Sequence, residues 1–552
     1  MNTFRKRAGV VGLVIILLGI CVCGLLYHYI ISGGLRARQT PSKIETIVAQ
    51  GLVELSVPEE MKLLKNPLSE APDGADAAAG RDLYQKNCVI CHNYDGSGKT
   101  AAGSGLYPPP LDLRSAAILA HKQTDGELFY FIRYGVRNTG MPGWQLPDQQ
   151  IWQIVSYIRN LPGTAETSGT APVPSLANAH YVGSAACEPC HQSIYERWRK
   201  TPMANVVRDP REHPDAIIPD LSQTNSLVNF SRADIAFVYG SIWKQRYFKK
   251  VGDDYYALPA QWDITHKKWR PYNAKEDWWV AYYPPDNFHR PTSALCDGCH
   301  SVNYNIETKQ VTEWNVGCER CHGPGSEHVQ HPTSSNIFNP AHLGYVAAND
   351  VCVQCHSQGR PLQNPIQGKY YDWPVGYDVT RTLSDYWKLE GHKLGETTFT
   401  HFADGTAHKN RMQGNDFVTS LMYTHGVTCF TCHDVHGTGY EADLRKPANV
   451  LCMDCHGPNS PNGPHTPTLE AHTHHKAGSP GSECIACHMP KIAQTIADVN
   501  VSSHTFRFID PATADALYIP NACNVCHSDK TAAWASNALK TWDNLSPWRV
   551  AK

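Results

Sequence analysis

Eighteen of the chain's twenty cysteines fall into nine pairs, and every pair is followed by a histidine in the pattern C-x-x-C-H. The pairs are Cys88/Cys91, Cys187/Cys190, Cys296/Cys299, Cys318/Cys321, Cys352/Cys355, Cys429/Cys432, Cys452/Cys455, Cys484/Cys487 and Cys523/Cys526. The histidines are His92, His191, His300, His322, His356, His433, His456, His488 and His527. This is the attachment signature of haem c: two thiols add to the porphyrin vinyls and the adjacent imidazole reaches the iron. Zinc ribbons, the competing reading, need two cysteine pairs per metal but no histidine after each. With 28 histidines in 552 residues, nine standing behind nine pairs are not a coincidence. Nine covalently bound haem c groups, with those histidines as proximal iron ligands, are therefore expected.

Covalent haem attachment of this kind takes place outside the cytoplasm, and the N-terminus agrees with export. "MNTFRKR" is basic, and no Asp, Glu, Lys or Arg then occurs from Ala8 to Leu35. About 20 apolar residues span a bilayer. A cleaved signal peptide is the alternative, but no small-x-small site follows Leu26, and Ile20 is too large to precede a lipidated Cys21. Residues 1–35 are read as a membrane anchor, with Cys21 and Cys23 inert inside it. Arg36, Arg38 and Lys43 lie beyond it, so orientation rests on the haems: the anchor sits in the cytoplasmic membrane with the haem domains in the periplasm. A net charge of −2 gives no reason to expect a nucleic-acid partner.

A chain of this length divides into two or three domains. Residues 36–75 read as a stalk and 76–163 as a first haem domain. "GRDLYQKNCVICH" feeds its haem site, and "DGELFYFIRYGV" and "PDQQIWQIVSYIRNLP" carry helical apolar spacing. Between them stands "NTGMPGW". Haem site, then Met-Pro, then an aromatic helix: the segment resembles a small all-α, monohaem class I cytochrome c from end to end. The resemblance makes Met141 the distal ligand opposite His92, and such His/Met ligation raises the reduction potential. Residues 164–178, small, polar and Pro-containing, read as a flexible linker.

Residues 179–552 carry the other eight sites, so densely that the haems must form much of the core. The expected fold is mainly α with much loop. Sites at 296, 318 and 352 are spaced much like those at 429, 452 and 484, which suggests a duplicated three-haem module. A haem-free interval, about 217–285, is rich in Tyr, Trp, Phe and Val with turn signals such as "GDD", and reads as a small β-rich insert. It either shields haem edges or forms a pocket or docking face.

"YVGSAACEPCHQSIYERWRKTPMA", "NVGCERCHGPGSEH", "GVTCFTCHDVHG", "ECIACHMP", "SHTF" and "PNACNVCHSDKTAAWA" make this unit similar to the multihaem cytochrome c superfamily. That group includes the tetrahaem cytochrome of ammonia oxidation, pentahaem nitrite reductases and octahaem hydroxylamine-oxidising or nitrite-reducing enzymes. The resemblance implies His328, His436 and His504 as distal iron ligands, His474 or His475 from "THHKAG", and His408 with weaker support. Met203 stands where related entry segments often carry His. It would supply an axial sulfur, or simply pack, or leave an iron open. The pentahaem enzymes use a C-x-x-C-K site, and none occurs here. Arg246, Tyr247 and His266 are residue types found around open irons, but they form no readable constellation. The expectation is a membrane-anchored electron carrier of a periplasmic respiratory chain. Its partner would be a redox protein or a quinol-oxidising membrane complex. The alternatives are a terminal oxidoreductase for a small nitrogen or sulfur compound (nitrite, hydroxylamine, tetrathionate type) and a conduit subunit of a larger assembly.

Overall fold

The computed structural model describes residues 51–542, less 69–78, 99–105, 162–175, 273–288, 460–465 and scattered positions, most of them in the first domain. Among the described residues no helix is long and apolar enough to cross a membrane. The expected anchor, residues 1–35, lies outside them.

The first domain is built on two helices. Asp125–Tyr134 is opened by a capping box in which Thr124 and Glu127 satisfy each other's backbone N–H groups. Asp148–Arg159 turns Ile151, Trp152, Ile154, Val155 and Ile158 inward, the one-faced spacing that buries a helix stripe. They meet Tyr84, Val89, Ile118, Leu128 and Ile132 in one apolar core, with Cys88 and Met141 at its margin. Arg159 ties the two helices together: its Nε lies 2.7 Å from Asp125 Oδ1, and its other nitrogens donate to the carbonyls of Ile118 and Gln123. Part of the segment read as a stalk packs onto this domain. Met61 joins its core, and the buried Asn66 donates to Trp152 O and Ser156 Oγ.

The second unit is short helices, loops and small sheets. Five strands, β1 (Val207–Arg208), β2 (Phe237–Tyr239), β3 (Lys244–Val251), β4 (Asp254–Asp263) and β5 (Lys268–Pro271), form an antiparallel meander in sequence order. The "GDD" turn joins β3 to β4, with Gly252 at φ +61°. Side chains alternate between the faces. Val238, Tyr247 and Leu258 share one cluster. Phe237, Tyr239 and Phe248 share another, with Cys296 and Trp314 packed against it. The sheet thus lies over the Cys296 site. Elsewhere the apolar residues gather in several small clusters with attachment cysteines at their margins: Cys91 and Cys429 in one, Cys299 in another, Cys321 in a third. Small protein clusters around cysteines are what a core completed by bound cofactor leaves to the polypeptide.

Candidate haem sites

Each attachment motif is close to one helical turn. The turn is closed by the histidine's N–H donating to the first cysteine's carbonyl, at 2.9 Å for His92, 3.0 Å for His191, 3.1 Å for His300, 2.9 Å for His356, 3.0 Å for His433 and 2.8 Å for His527. Residues three apart share a helix face, so both sulfurs point to one side and the histidine follows beside them. At the first site Gly135 (φ +70°) brings its helix end against Met141, where a Cβ would stand 2.7 Å from Met141 O. This turn, with Val136 N–H bonded to Met141 O at 3.0 Å, fixes the loop that carries Met141.

A core made largely of haem predicts attachment cysteines held inside the fold. Three of them depart from this: Cys190, Cys455 and Cys526 are exposed, while the other attachment cysteines are partly buried. Each is the second cysteine of its motif and sits on a short helix, Glu188–Trp198, Ala448–His456 or Ala522–Cys526. The first two helices bury no residue, and the third buries only Ala522. The neighbours of these cysteines in the motif, Cys187, Cys452 and Cys523, are the partly buried members of these pairs.

Five proximal rings face a second imidazole. His191 lies 6.3 Å from His328, His322 6.2 Å from His436, His433 6.5 Å from His504, His488 6.1 Å from His472 and His527 6.2 Å from His475, measured between ring centres, with interplanar angles from 12° to 36°. Two nitrogens about 2 Å from one metal, each about 1 Å from its ring centre, put ring centres roughly 6 Å apart. Direct stacking would bring them closer. The five pairs fit one iron between them.

The ring nitrogens are oriented accordingly. Nδ1 of His92, His322, His433, His475 and His504 meets a backbone carbonyl, at 3.1, 2.8, 2.8, 2.6 and 3.1 Å. His328 Nδ1 meets Thr333 O and Asn336 Oδ1, and His436 Nδ1 meets Asp434 Oδ1. Such a partner holds the proton on Nδ1 and leaves Nε2 for a metal. Burial lowers the pKa of His92, His322, His433 and His472, and holds that of His504 down at about 4. Neutral imidazole is the form that ligates.

His328, His436, His504 and His475 therefore stand opposite proximal rings. His472 does too, although the sequence pointed to its neighbours. His474 adopts a left-handed backbone (φ 53°) that ends the helix Leu469–Thr473. That turn sends His472 and His475 to different sites and leaves His474 stacked 4.3 Å from Trp542. His408 lies on the turn 398–408 with its ring centre 4.1 Å from that of Phe402, a packing distance. Met203 opens a short 3-10 turn whose carbonyl accepts from Val316 N–H at 3.1 Å, just ahead of Cys318. The next residue back, Asn315, donates its N–H to His300 O at 2.8 Å, so Met203 lies close to both the Cys318 and the Cys296 motifs. Tyr247 faces away in its own cluster, bonded to Gln245, and His266 is held by Asp263. The Cys452 site borders residues 460–465, outside the described residues.

The Cys296 site is different. No imidazole faces His300 among the described residues, and its nearest ring is Tyr239, 5.5 Å away. Among the described residues its buried Nδ1 has no hydrogen-bond partner. Burial first, then the charges of Arg411, His356 and Arg246, hold its pKa down at about 4. Arg246 sits 4.5 Å over the Tyr272 ring, and Arg411 is steered by Gln358 Oε1 at 2.9 Å. No ring faces His356 either, among the described residues.

The motifs also touch one another. Thiols of different motifs act on one another electrostatically in the pairs Cys187/Cys318, Cys299/Cys355, Cys352/Cys429 and Cys452/Cys484, and Cys355 Sγ lies 3.8 Å from Cys299 O. These thiols stand for the thioethers of attached haem. Cys321 lies within electrostatic range of Cys352, Cys432 of Cys455, and Cys487 of Cys523 and Cys526. The eight sites thereby follow one row, 187–318–352–429–452–484–523, with 296 branching at 352. Three of the junctions repeat one device. Ser184 Oγ accepts from Cys318 N–H at 2.9 Å, Asn349 Oδ1 from Cys429 N–H at 2.8 Å, and Asn449 Oδ1 from Cys484 N–H at 2.9 Å. Each acceptor stands three residues ahead of the first cysteine of the partner motif. At the first junction the buried Glu319 takes hydrogen bonds from the N–H groups of Val182, Gly183 and Gly325.

Known families divide along the same lines. Residues 75–158 match cytochrome c oxidase, cbb3-type, subunit III; residues 267–323 match cytochrome c554 and c-prime; residues 423–461 match the doubled CXXCH motif. The chain is a multihaem c-type cytochrome. Among similar proteins, the cytochrome is 22% identical over 404 residues to the dissimilatory sulfite reductase MccA of Wolinella succinogenes, covering 56% of this chain and 50% of that one. It is 23% identical over 172 residues to the multihaem cytochrome MtrA of Shewanella baltica, covering 30% and 50%. The chain spans about half the length of these curated relatives. In fold it is similar to the crystal structure of the outer cell wall cytochrome OcwA, with a TM-score of 0.53 and 23% identity over 66% of this chain and 87% of that one.

Proposed function

We propose that this cytochrome binds nine haems and conducts electrons along a continuous row. Residues 1–35 anchor it in the cytoplasmic membrane and the haem domains stand in the periplasm. Its partner is a redox protein or a quinol-oxidising membrane complex. The observation that carries this reading is the succession of attachment motifs, joined at three places by hydrogen bonds from the N–H groups of Cys318, Cys429 and Cys484 and elsewhere within electrostatic range of one another. Haem c, when bound, supplies one-electron iron chemistry. The chain's residues set the rest. His191/His328, His322/His436, His433/His504, His488/His472 and His527/His475 would hold five irons from both sides, and His92/Met141 that of the first domain. So held, an iron would pass electrons without exchanging ligands. A flash-generated single electron should distribute over the whole row in one kinetic phase set; a block of haems that stays out of equilibrium would refute the continuous row.

A second reading, a terminal oxidoreductase, is favoured by one observation: His300 faces no imidazole among the described residues, and Arg246 and Arg411 lie within its electrostatic range. An open iron flanked by two guanidinium groups suits a small oxyanion. This reading requires a high-spin EPR component in the isolated protein that nitrite or sulfite converts. If neither anion perturbs the spectrum, it fails.

A further inference from the structure

The helix Tyr345–Val353 touches three attachment sites. Its own Cys352 opens one of them, and the Cys352 thiol lies within electrostatic range of Cys429. Asn349 binds the second from both sides, accepting from Cys429 N–H and donating to Val427 O at 3.1 Å. The third is in the first domain. Val346 packs both against that domain's core and against the cluster formed by Tyr345, Tyr423 and Phe417. Cys91 and Cys429 lie at the margin of this same cluster. Tyr423, buried between them, is in electrostatic range of both sulfurs, and Tyr345 meets it edge to face at 5.6 Å.

We propose that this seam is the electron junction between the two units: the first domain docks on the middle of the row, at the Cys352/Cys429 pair, and not on either end. Three features argue for a built interface. The contact is apolar on both sides, it includes the second cysteine of the first motif, which would carry the haem, and its central helix is pinned to Cys429 by a fully buried asparagine. One electron crosses the seam at a time. A ferric haem at Cys88 is reduced as a ferrous haem at Cys429 is oxidised, with no bond made or broken and no proton needed. Ligation by Met141, part of the reading above on which this inference rests, makes Cys88 the high-potential side, so electrons drain towards it from mid-row. The row's two arms then reach the junction independently.

The test uses the full-length holoprotein. A flash photoreductant injects one electron, and its arrival at the Cys88 haem is read from the sulfur-to-iron charge-transfer band, which bis-imidazole haems lack. Equilibration within the row is followed separately. Val346→Glu should abolish the fast arrival phase while leaving the row's own equilibration and the band intact. Val346→Ile, which keeps the contact, should retain the fast phase. Tyr518→Glu, at an exposed position ahead of Cys523, should also retain it. Fast arrival in Val346→Glu overturns the junction, as does its loss in Tyr518→Glu. A wild-type row that does not equilibrate overturns the conduction reading instead, and a missing band overturns Met141 ligation.

Discussion

Asn349→Leu isolates the device that joins neighbouring motifs. Asn349 is 0% exposed, and its amide makes two hydrogen bonds, to Cys429 N–H at 2.8 Å and to Val427 O at 3.1 Å. Leucine keeps the branched heavy-atom skeleton, though its methyl groups are bulkier, and satisfies neither group. Each buried backbone group left unpaired costs about 1–3 kcal/mol, so the substitution should cost about 2–6 kcal/mol, a large share of an ordinary domain's stability of roughly 5–15 kcal/mol. The equivalent Asn449→Leu removes bonds of the same kind, to Cys484 N–H at 2.9 Å and Ser482 O at 3.1 Å. Asn449 is only half-buried, and water can replace part of what is lost, so the cost should be about 1–2 kcal/mol. Urea unfolding of the holoproteins, followed at the haem Soret band and by far-UV circular dichroism, measures both. Equal losses in the two variants, or a loss below about 1 kcal/mol for Asn349→Leu, would refute the claim that buried motif-to-motif hydrogen bonds hold the row together.

His472→Ala should turn one low-spin haem high-spin in EPR, while His474→Ala leaves every signal in place. A high-spin signal from His474→Ala, or none from His472→Ala, would reverse the assignment at the Cys484 site. Asp297 gives a pH prediction. Burial raises its pKa to about 7, against hydrogen bonds from Tyr239 and Thr292 that lower it. A folded pKa above the unfolded one means the native state holds the proton more tightly. The stability gained is full below the ordinary carboxylate value of about 4 and is lost as pH rises through about 7. Asp297→Asn keeps an acceptor without the charge, so it should flatten this decline and stabilise the protein at pH 8 relative to wild type. The gain is at most about 4 kcal/mol, three pH units' worth. Parallel curves from pH 5 to 8 would refute it.

The multihaem c-type character was legible in the sequence because haem attachment is local: five residues carry its signature. The helices 125–134 and 148–159 were legible because their apolar period is a property of each segment alone. The β-rich insert was legible from Tyr, Trp and Val flanking turn residues. Distal ligands are another matter, because their partners lie far off in sequence. His328 faces a ring more than a hundred residues upstream, and His475 faces one downstream of the next motif. His472 escaped because nothing in "AHTHHKAG" reveals that a left-handed residue at His474 divides the cluster. A surplus of histidines, as here, cannot show which proximal ring faces an imidazole; that among the described residues His300 faces Tyr239 under the sheet depends on tertiary placement.

The repeat that organises the row is also not the one the spacing suggested. The sites at 296, 318, 352 and at 429, 452, 484 look like two copies of a module. The shared contact instead joins 187 to 318, 352 to 429 and 452 to 484, pairs 131, 77 and 32 residues apart. In each, a Ser or Asn three residues before a first cysteine lies on the same helical face as that cysteine, and its side chain accepts the first N–H of the partner turn. That N–H is one a helix cannot satisfy internally. One hydrogen bond thus caps the second turn and sets its first cysteine against the first cysteine of its neighbour. A chain built this way can insert any length of polypeptide between two paired motifs, as it does with the sheet of β2–β5 between 187 and 318, without changing how the attachment turns meet.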